Sequence, residues 1–249
     1  MKSQEMQKNT FFKLYGKYII LNILLVTLIT LLIIFVSINA GFINDIDSFV
    51  FKIVEIFRTP VFSNIFLFIT YLGETITIII LLILCLIFLK NKSFPLIFLC
   101  SISAFMNFVI KNLVKRARPI GQFVNNLIIN YPFPDSYSFP SGHSQTSLVF
   151  YFILAFILLN NFYKGKHKKL LLSLSLIIPI LVMLSRLVLG VHFFSDVLCG
   201  LSIGTLIIIN YFFYLKIKSI KQPMKINSNS NSNSNSNSNS NSNSNSNSK

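Results

Sequence analysis

Long apolar runs separated by short polar segments make up most of the chain. Each run is close to the roughly 20 residues that an α-helix needs to cross the hydrocarbon core of a bilayer. Six such runs lie near residues 18–38, 64–89, 94–112, 144–162, 169–190 and 194–214. The pattern predicts an all-α fold, an integral membrane bundle of six helices. Because the first run is longer than the apolar part of a signal peptide and Ile38-Asn39-Ala40 is a poor cleavage site, we interpret it as an uncleaved anchor.

Two segments outside these runs have patterns of their own. Residues 39–63 place charged side chains among Phe, Ile and Val, which is typical of an amphipathic helix lying at the membrane interface. Simple interfacial packing is the preferred interpretation of this segment, with partner binding or substrate access as the alternative. From Asn227 the chain repeats Asn-Ser eleven times to Ser248, and such a polar repeat predicts a disordered tail.

The composition agrees with a membrane protein, since 53% of the residues are hydrophobic and only 12% are charged. A formal net charge of +15 raises nucleic-acid binding as an alternative. Lys and Arg nevertheless gather between the apolar runs, as membrane topology requires, so we predict no nucleic-acid partner. The three cysteines all lie inside apolar runs and indicate neither a disulfide framework nor a zinc site.

The distribution of Lys and Arg predicts the orientation in the membrane. If the N-terminus is cytoplasmic, 15 of the 22 basic residues are cytoplasmic as well, which satisfies the positive-inside rule. The C-terminus is then also cytoplasmic. The seven basic residues left on the outer side are Lys52, Arg58, Lys111, Lys115, Arg116, Arg118 and Arg186. This topology places the end of the third run, the start of the fourth and the turn between the last two at the extracytoplasmic interface.

Two polar residues inside the apolar runs need an explanation. Glu74 lies in the second run, where an ionisable group is costly and raises the question of function. Gly73 before it indicates a break that leaves Glu74 near the interface, and we assign it no catalytic role. Asn107 precedes Lys111 by one helical turn; it can orient that lysine, but a hydrogen bond between helices is the preferred interpretation.

The first group of candidate residues consists of Lys111, Arg118 and Pro119. Phosphoryl transfer requires positive charge that neutralises the equatorial phosphate oxygens. Arg suits bidentate contact with such oxygens and Lys supplies a point charge. Taken alone, this group is also typical of a basic cluster at the membrane edge.

The second group is Pro140-Ser141-Gly142-His143, directly before the fourth run. At a helix start, the backbone N–H groups of Ser141, Gly142 and His143 are expected to be unpaired donors that point at an anion. We interpret Ser141 as a helix cap and phosphate ligand, because the Gly-x-Ser-x-Gly setting of a serine nucleophile is missing from the sequence.

The third group is Ser185-Arg186 followed by His192 and Asp196. A spacing of four residues at a helix start puts the carboxylate of Asp196 beside the imidazole of His192, where it can hold one ring nitrogen and leave the other available to attack. His143 and His192 fall at the same predicted membrane depth, whereas His167 lies in a Lys-rich loop and is predicted to be solvated.

With these three groups the chain resembles the phosphatidic acid phosphatase type 2 superfamily, which includes polyprenyl-diphosphate phosphatases. The resemblance covers roughly residues 60–215 and implies a membrane-embedded lipid-phosphate phosphatase. It further implies that His192 is the nucleophile, that Asp196 orients it, and that His143 protonates the leaving alcohol and then activates water. By the same resemblance the phosphate ligands are Lys111, Arg118, Ser141, Gly142 and Arg186. The substrate candidates are phosphatidic acid, phosphatidylglycerol phosphate and undecaprenyl diphosphate.

The predicted organisation follows from these assignments. Residues 1–17 form a cytoplasmic segment, 18–59 the first transmembrane helix and interfacial segment, 60–215 the catalytic domain, and 216–249 a basic and then Asn-Ser-rich tail. We expect no metal, no cofactor and no obligate protein partner; the predicted partners are the lipid phosphate substrate and the bilayer. The alternatives are a headgroup phosphotransferase and an anion transporter, while six spans disfavour a soluble haloperoxidase.

Overall fold

The computed structural model describes residues 2–119 and 135–238, and side chains within 15–119 and 135–220. All regular secondary structure in these ranges is helical. The α-helices are α1 (Lys2–Ser37), α2 (Gly41–Val54), α3 (Pro60–Tyr71), α4 (Thr75–Leu89), α5 (Phe94–Val114), α6 (Gly142–Phe162), α7 (Lys168–Leu174), α8 (Ile177–Val188) and α9 (Phe194–Ser238). The chain divides into two compact units between Ile208 and Ile209, and the second contains the C-terminal part of α9. The all-α prediction is confirmed.

Several helical stretches are long and apolar enough to cross a membrane, so the chain is a multi-pass membrane protein. Among the described residues they are Tyr15–Ser37, Thr75–Val114, Gly142–Phe162, Lys168–Val188 and Phe194–Ile220. These are five stretches, and a sixth results if Gly41–Phe57 and Pro60–Tyr71, between which the chain bends by 112°, count as one bent span. The predicted number of six spans is therefore compatible with the structure but not confirmed by it.

The second predicted span, residues 64–89, is divided into two helices. Helix α3 ends at Tyr71, and Glu74 has an extended backbone before α4 begins. Gly73 sits at this break because a side chain there would collide with a neighbouring helix, since its Cβ would lie 2.5 Å from Val182 Cγ1. A short 3₁₀ turn, Lys90–Ser93, then separates α4 from α5. The sequence analysis predicts a break at Gly73, and the structure has a break there.

Two other predictions concern the interfacial segment and the C-terminal tail. Residues 39–63 do not form a single helix but α2, a 3₁₀ turn at Glu55–Phe57 and the start of α3. The buried residues of α2 include Asp47 as well as Ile43 and Phe51. At the C-terminus, α9 continues to Ser238 and thus into the Asn-Ser repeat, where the sequence predicts a disordered tail. A helical backbone satisfies its own hydrogen bonds without a hydrophobic face. The remainder of the repeat lies outside the described residues.

Helix α6 is central to the packing. It lies against α5 and α8, and α8 lies against α3. Val149, Phe150 and Ile153 of α6 and Val182 of α8 are fully buried. Most of the buried polar residues lie at one end of these helices, where α5 ends, α6 begins, α8 ends and α9 begins.

Two glycines allow the start of α9 to approach α6 closely. A Cβ at Gly200 would lie 2.5 Å from the carbonyl oxygen of Ser141, and one at Gly204 would lie 3.1 Å from that of Gln145. Small residues at this four-residue spacing are typical of closely packed membrane helices. The backbone N–H of Ser141 donates to the carbonyl oxygen of Asp196 at 3.0 Å. The second and third groups of candidate residues are thus in direct backbone contact.

Replacing Gly200 by Ala is expected to destabilise the protein, because the added methyl group would collide with the backbone of Ser141. Overpacking of this kind costs about 1–3 kcal/mol, and we expect a lower unfolding temperature in detergent together with reduced turnover. Gly41→Ala is the matched control, since a Cβ there meets nothing within 4 Å. Equal unfolding temperatures for the two variants would contradict the close contact between α9 and α6.

Candidate active site

The imidazole of His192 is held between a carboxylate and a guanidinium. Its Nδ1 lies 3.3 Å from Oδ2 of Asp196, and its Nε2 lies 3.2 Å from NH1 of Arg118. An arginine can only donate hydrogen bonds, so Nε2 must be the accepting nitrogen of a neutral ring. Nδ1 then carries the proton and donates it to the carboxylate of Asp196. These contacts assign the tautomer in which the lone pair of Nε2 points away from Asp196.

The surroundings of His192 favour the neutral imidazole. His192 is only 1% exposed. Burial, and then the positive charges of Arg186, Arg118 and Lys111, lower its pKa well below the ordinary value of 6.5, and a hydrogen bond with the Ser138 backbone opposes this only in part. At neutral pH the ring is therefore uncharged and has a lone pair to use.

Arg118 is anchored by backbone oxygen atoms on both sides of the site. Its Nε donates to the carbonyl oxygen of Ser136 at 2.8 Å, and NH1 donates to that of Val191 at 2.8 Å. The chain reaches this position because Lys115, in the left-handed conformation with φ of 52°, ends helix α5. The guanidinium is thereby fixed beside His192.

Arg186 is a fully buried cation near the end of α8. Its NH1 donates to Oγ1 of Thr70, a buried residue of α3. Arg58 contacts the same end of α8, because its Nε donates to the carbonyl oxygen of Val188 at 3.0 Å. Gly190, with φ of 64°, turns the chain from α8 towards His192. Contacts with α3 and with the segment that precedes it therefore position the third group of residues.

The second group begins helix α6. Ser141 is the N-cap, and its Oγ accepts a hydrogen bond from the backbone N–H of Ser144 at 3.4 Å, as the sequence predicts for a helix cap. The backbone N–H of Ser141 was expected to point at an anion, but it donates to the backbone carbonyl oxygen of Asp196 instead. A Cβ on Gly142 would lie 3.2 Å from Oδ1 of Asn107, so Gly142 allows α5 and α6 to approach each other.

His143 lies one residue inside α6, close to the other candidate residues. Its Nε2 is buried and has no hydrogen-bond partner among the described residues. The charges of Arg186, His192, Arg118 and Lys111 all act on it. Lys111, at the end of α5, is in turn within electrostatic range of Arg118, Asp196 and Arg186. All eight predicted site residues therefore lie at the same end of the helices, whereas His167 is exposed in the loop before α7, as predicted.

Asn107 links the first two groups of residues. Its Nδ2 donates to the carbonyl oxygen of Pro140 at 3.1 Å and lies 3.2 Å from Oε1 of Gln145, both of which belong to the neighbouring segment. Gln145 itself donates to the carbonyl oxygen of Ser103 at 2.7 Å. The preferred interpretation of Asn107, a hydrogen bond between helices, is confirmed.

Sequence reasoning missed two charged residues. Arg116 contacts the carboxylates of Asp47 and Asp196, at 2.7 and 2.8 Å respectively, and so extends the site to helix α2. The sequence contains one indirect signal for Arg116, which is its position two residues before Arg118. A carboxylate buried near that position would need a cation as its partner. No signal in the sequence links Asp47 to this site, since the pairing spans 69 residues.

Comparison with known proteins assigns this arrangement to a family. The model of the PAP2 superfamily matches residues 92–219, which is just over half of the 249 residues. The chain belongs to the PAP2 superfamily. The matched region contains all eight predicted site residues, while Asp47 and Thr70 precede it.

PAP2 relatives resemble the chain along most of its length. Phosphatidylglycerophosphatase B of Bacillus subtilis (strain 168) is 29% identical over 183 residues, which cover 71% of this chain and 86% of the relative. The crystal structure of a transmembrane PAP2 type phosphatidylglycerolphosphate phosphatase from Bacillus subtilis superposes with a TM-score of 0.67 at 26% identity, covering 78% of this chain and 96% of that one. Aquifex aeolicus LpxE gives a TM-score of 0.50 at 27% identity, with coverages of 64% and 90%. This chain is therefore a membrane PAP2 lipid phosphatase.

Replacing Asn107 by Ala is expected to reduce turnover by this PAP2 enzyme. The change removes the donor to Pro140 and leaves buried acceptors without a partner, which costs about 1–3 kcal/mol, at the segment that carries His143. Asn112→Ala is the matched control, because Asn112 is exposed and donates only within its own helix, to Phe108. Unchanged kcat/KM for Asn107→Ala, measured beside Asn112→Ala, would rule out this positioning effect.

Proposed function

We propose that this PAP2 phosphatase hydrolyses the phosphate headgroup of a membrane lipid through a phosphohistidine intermediate on His192. The observation that carries the proposal is the position of the imidazole between Asp196 and Arg118. One ring nitrogen is held by a carboxylate, and the other lies beside a cation of the kind that binds phosphate oxygens.

In the first step, Nε2 of His192 attacks phosphorus while the bond from phosphorus to the lipid oxygen breaks. The proton of the Nδ1–H group remains hydrogen-bonded to Asp196, which stabilises the positive charge that develops on the ring. His143, which enters this step with a proton on each ring nitrogen, donates the proton of its Nε2 to the departing lipid oxygen and becomes neutral. The buried Nε2 of His143, which has no partner among the described residues, is the atom suited to this transfer.

In the second step, His143 takes a proton from water and the resulting hydroxide attacks the phosphorus of the phosphohistidine. The phosphorus–nitrogen bond breaks, inorganic phosphate leaves, and His192 returns to its neutral form. The two histidines regain their starting protonation states, and the net reaction consumes one water molecule for each phosphate released.

Lys111, Arg118 and Arg186 neutralise the phosphate oxygens in this proposal, and Ser141 and Gly142 complete the phosphate site. The three cations act together on both histidines, which supports a shared position for the phosphate. Fixed cations of this kind stabilise the charge of the transition state. We therefore propose that turnover requires neither a metal ion nor a cofactor.

The proposed first substrate is phosphatidylglycerol phosphate, the lipid named in two of the relatives. Phosphatidic acid and undecaprenyl diphosphate are the other substrates to compare.

The distribution of basic residues supports an active site on the extracytoplasmic side with both termini in the cytoplasm. Transfer of the phosphate to another alcohol can be distinguished from hydrolysis, because it would produce no inorganic phosphate.

Purified protein in EDTA is expected to release inorganic phosphate from at least one of these three lipids. His192→Ala is expected to release none, because the attacking nitrogen is missing, and His167→Ala serves as the matched control, since that histidine is exposed. Rapid acid-free quenching during turnover is expected to trap phosphate on His192. Normal release by His192→Ala would overturn the mechanism, and release that EDTA abolishes would overturn the metal-independent reaction.

The pH dependence is expected to reflect the lowered pKa of His192. Protonation removes the lone pair, so activity is lost on the acid side, and a pKa below 6.5 moves that loss to a lower pH. The measurement is kcat/KM against pH with two lipids whose phosphates ionise at different pH values, because an inflection due to the enzyme is common to both. A common acid-side inflection at or above pH 6.5 would contradict the assignment.

A further inference from the structure

Arg116 lies between two buried carboxylates. Its NH1 is 2.8 Å from Oδ1 of Asp196, and its NH2 is 2.7 Å from Oδ2 of Asp47. The guanidinium also lies over the ring of Phe193, with Cζ of Arg116 3.8 Å from the ring centroid. Asp47 and Asp196 are 1% and 0% exposed. Two carboxylates buried this deeply need a cation between them, and the fork of arginine can contact both at once.

The two oxygen atoms of Asp196 have different partners. Oδ2 faces His192 and accepts a hydrogen bond from the backbone N–H of Phe193 at 2.9 Å. Oδ1 accepts from Arg116. A carboxylate held at both oxygen atoms cannot rotate, so Arg116 keeps Oδ2 directed at Nδ1 of His192.

Asp47 holds Arg116 and the start of α9 at the same time. Its Oδ1 accepts from the backbone N–H of Ser195 at 2.8 Å, and its Oδ2 accepts from the hydroxyl group of Ser195 at 2.8 Å. Ser195 is in turn 2.7 Å from NH1 of Arg116. Asp47 thus fixes both Arg116 and the backbone next to Asp196.

We propose that Arg116 is a positioning residue for catalysis, which is held in place by Asp47 of α2 and orients Asp196 towards His192. This inference rests on the proposed function of His192 as the nucleophile. Helix α2 lies outside residues 92–219, the part matched by the PAP2 model. A residue before that region, in a helix predicted to pack at the membrane interface, therefore takes part in organising the active site.

The role predicts a specific kinetic change. Arg116→Met is expected to lower kcat about 10- to 100-fold while KM stays within about twofold, because the phosphate ligands are untouched and only the nucleophile is misaligned. Arg116→Lys is expected to recover part of the loss, since an ammonium group keeps the charge but cannot contact both carboxylates as the planar fork does. Asp47→Asn is expected to lower kcat in the same direction by a smaller factor.

Two variants provide the comparison. Lys115→Met removes a neighbouring positive charge from an exposed side chain and is expected to leave kcat and KM unchanged. Arg118→Met removes a proposed phosphate ligand and is expected to raise KM. All rates are expressed per folded protein, with the folded fraction taken from gel filtration and thermal unfolding in detergent, so a loss of folding alone does not appear as a loss of kcat.

The outcomes separate the inference from the function on which it rests. Phosphate release by the unmodified protein is measured first, with His192→Ala as the blank; no release from any lipid contradicts the proposed function. If the unmodified protein is active, a normal kcat for folded Arg116→Lys or Arg116→Met overturns the positioning role. A rise in KM like that of Arg118→Met also overturns it, because Arg116 would then bind phosphate. Should Arg116→Met fail to fold, Arg116→Lys and Asp47→Asn decide the question.

Discussion

The arrangement of the site depends on the buried carboxylate of Asp196, because this residue links the second and third groups of site residues to Arg116, a neighbour of Arg118 in the first group. One of its oxygen atoms contacts the imidazole of His192, the other contacts Arg116, and its backbone carbonyl oxygen accepts from Ser141. A fully buried carboxylate is stable only if hydrogen bonds and opposite charge replace the water it has lost. The demand for these partners explains why the ends of α5, α6, α8 and α9 converge, and why a residue of α2 takes part as well.

Convergence of this kind is possible only where backbones approach closely. Gly200 brings α9 against the backbone of Ser141, and Gly73 brings the break between α3 and α4 against Val182 and His143. In a bilayer the hydrophobic effect does little to drive helices together, so close packing and interhelical hydrogen bonds must hold them. Asn107 supplies such hydrogen bonds within the same end of the bundle. Small residues and buried amides thus make a polar site possible at the end of apolar helices.

Local patterns in the sequence predicted the helical fold, which is confirmed, and indicated the eight candidate site residues, whose roles stay predictions. Run length, the four-residue spacing of His192 and Asp196, and the cap at Ser141 are properties of neighbouring residues. Hydropathy alone could not predict that the second apolar run is divided, since both halves are apolar; the signal for the break is Gly73, where a side chain would meet Val182 and His143. The pairing of Asp47 with Arg116 spans 69 residues and depends on how α2 folds back onto the site. An amphipathic pattern predicts a helix at an interface, but it does not reveal which of its carboxylates turns inward.

In the proposed mechanism, the cations around His192 link substrate binding to the reactivity of the imidazole. Without substrate, burial and then the charges of Arg186, Arg118 and Lys111 lower the pKa of the imidazole, and so reduce its basicity along with its tendency to be protonated. A phosphate dianion bound to the same cations would offset their charge, and the opposing effect of the Ser138 hydrogen bond would then weigh more heavily. On the proposed mechanism, the ring then becomes a stronger base, and hence a better nucleophile, once the phosphate is in place. The arrangement would thus keep His192 neutral before binding and increase its reactivity afterwards.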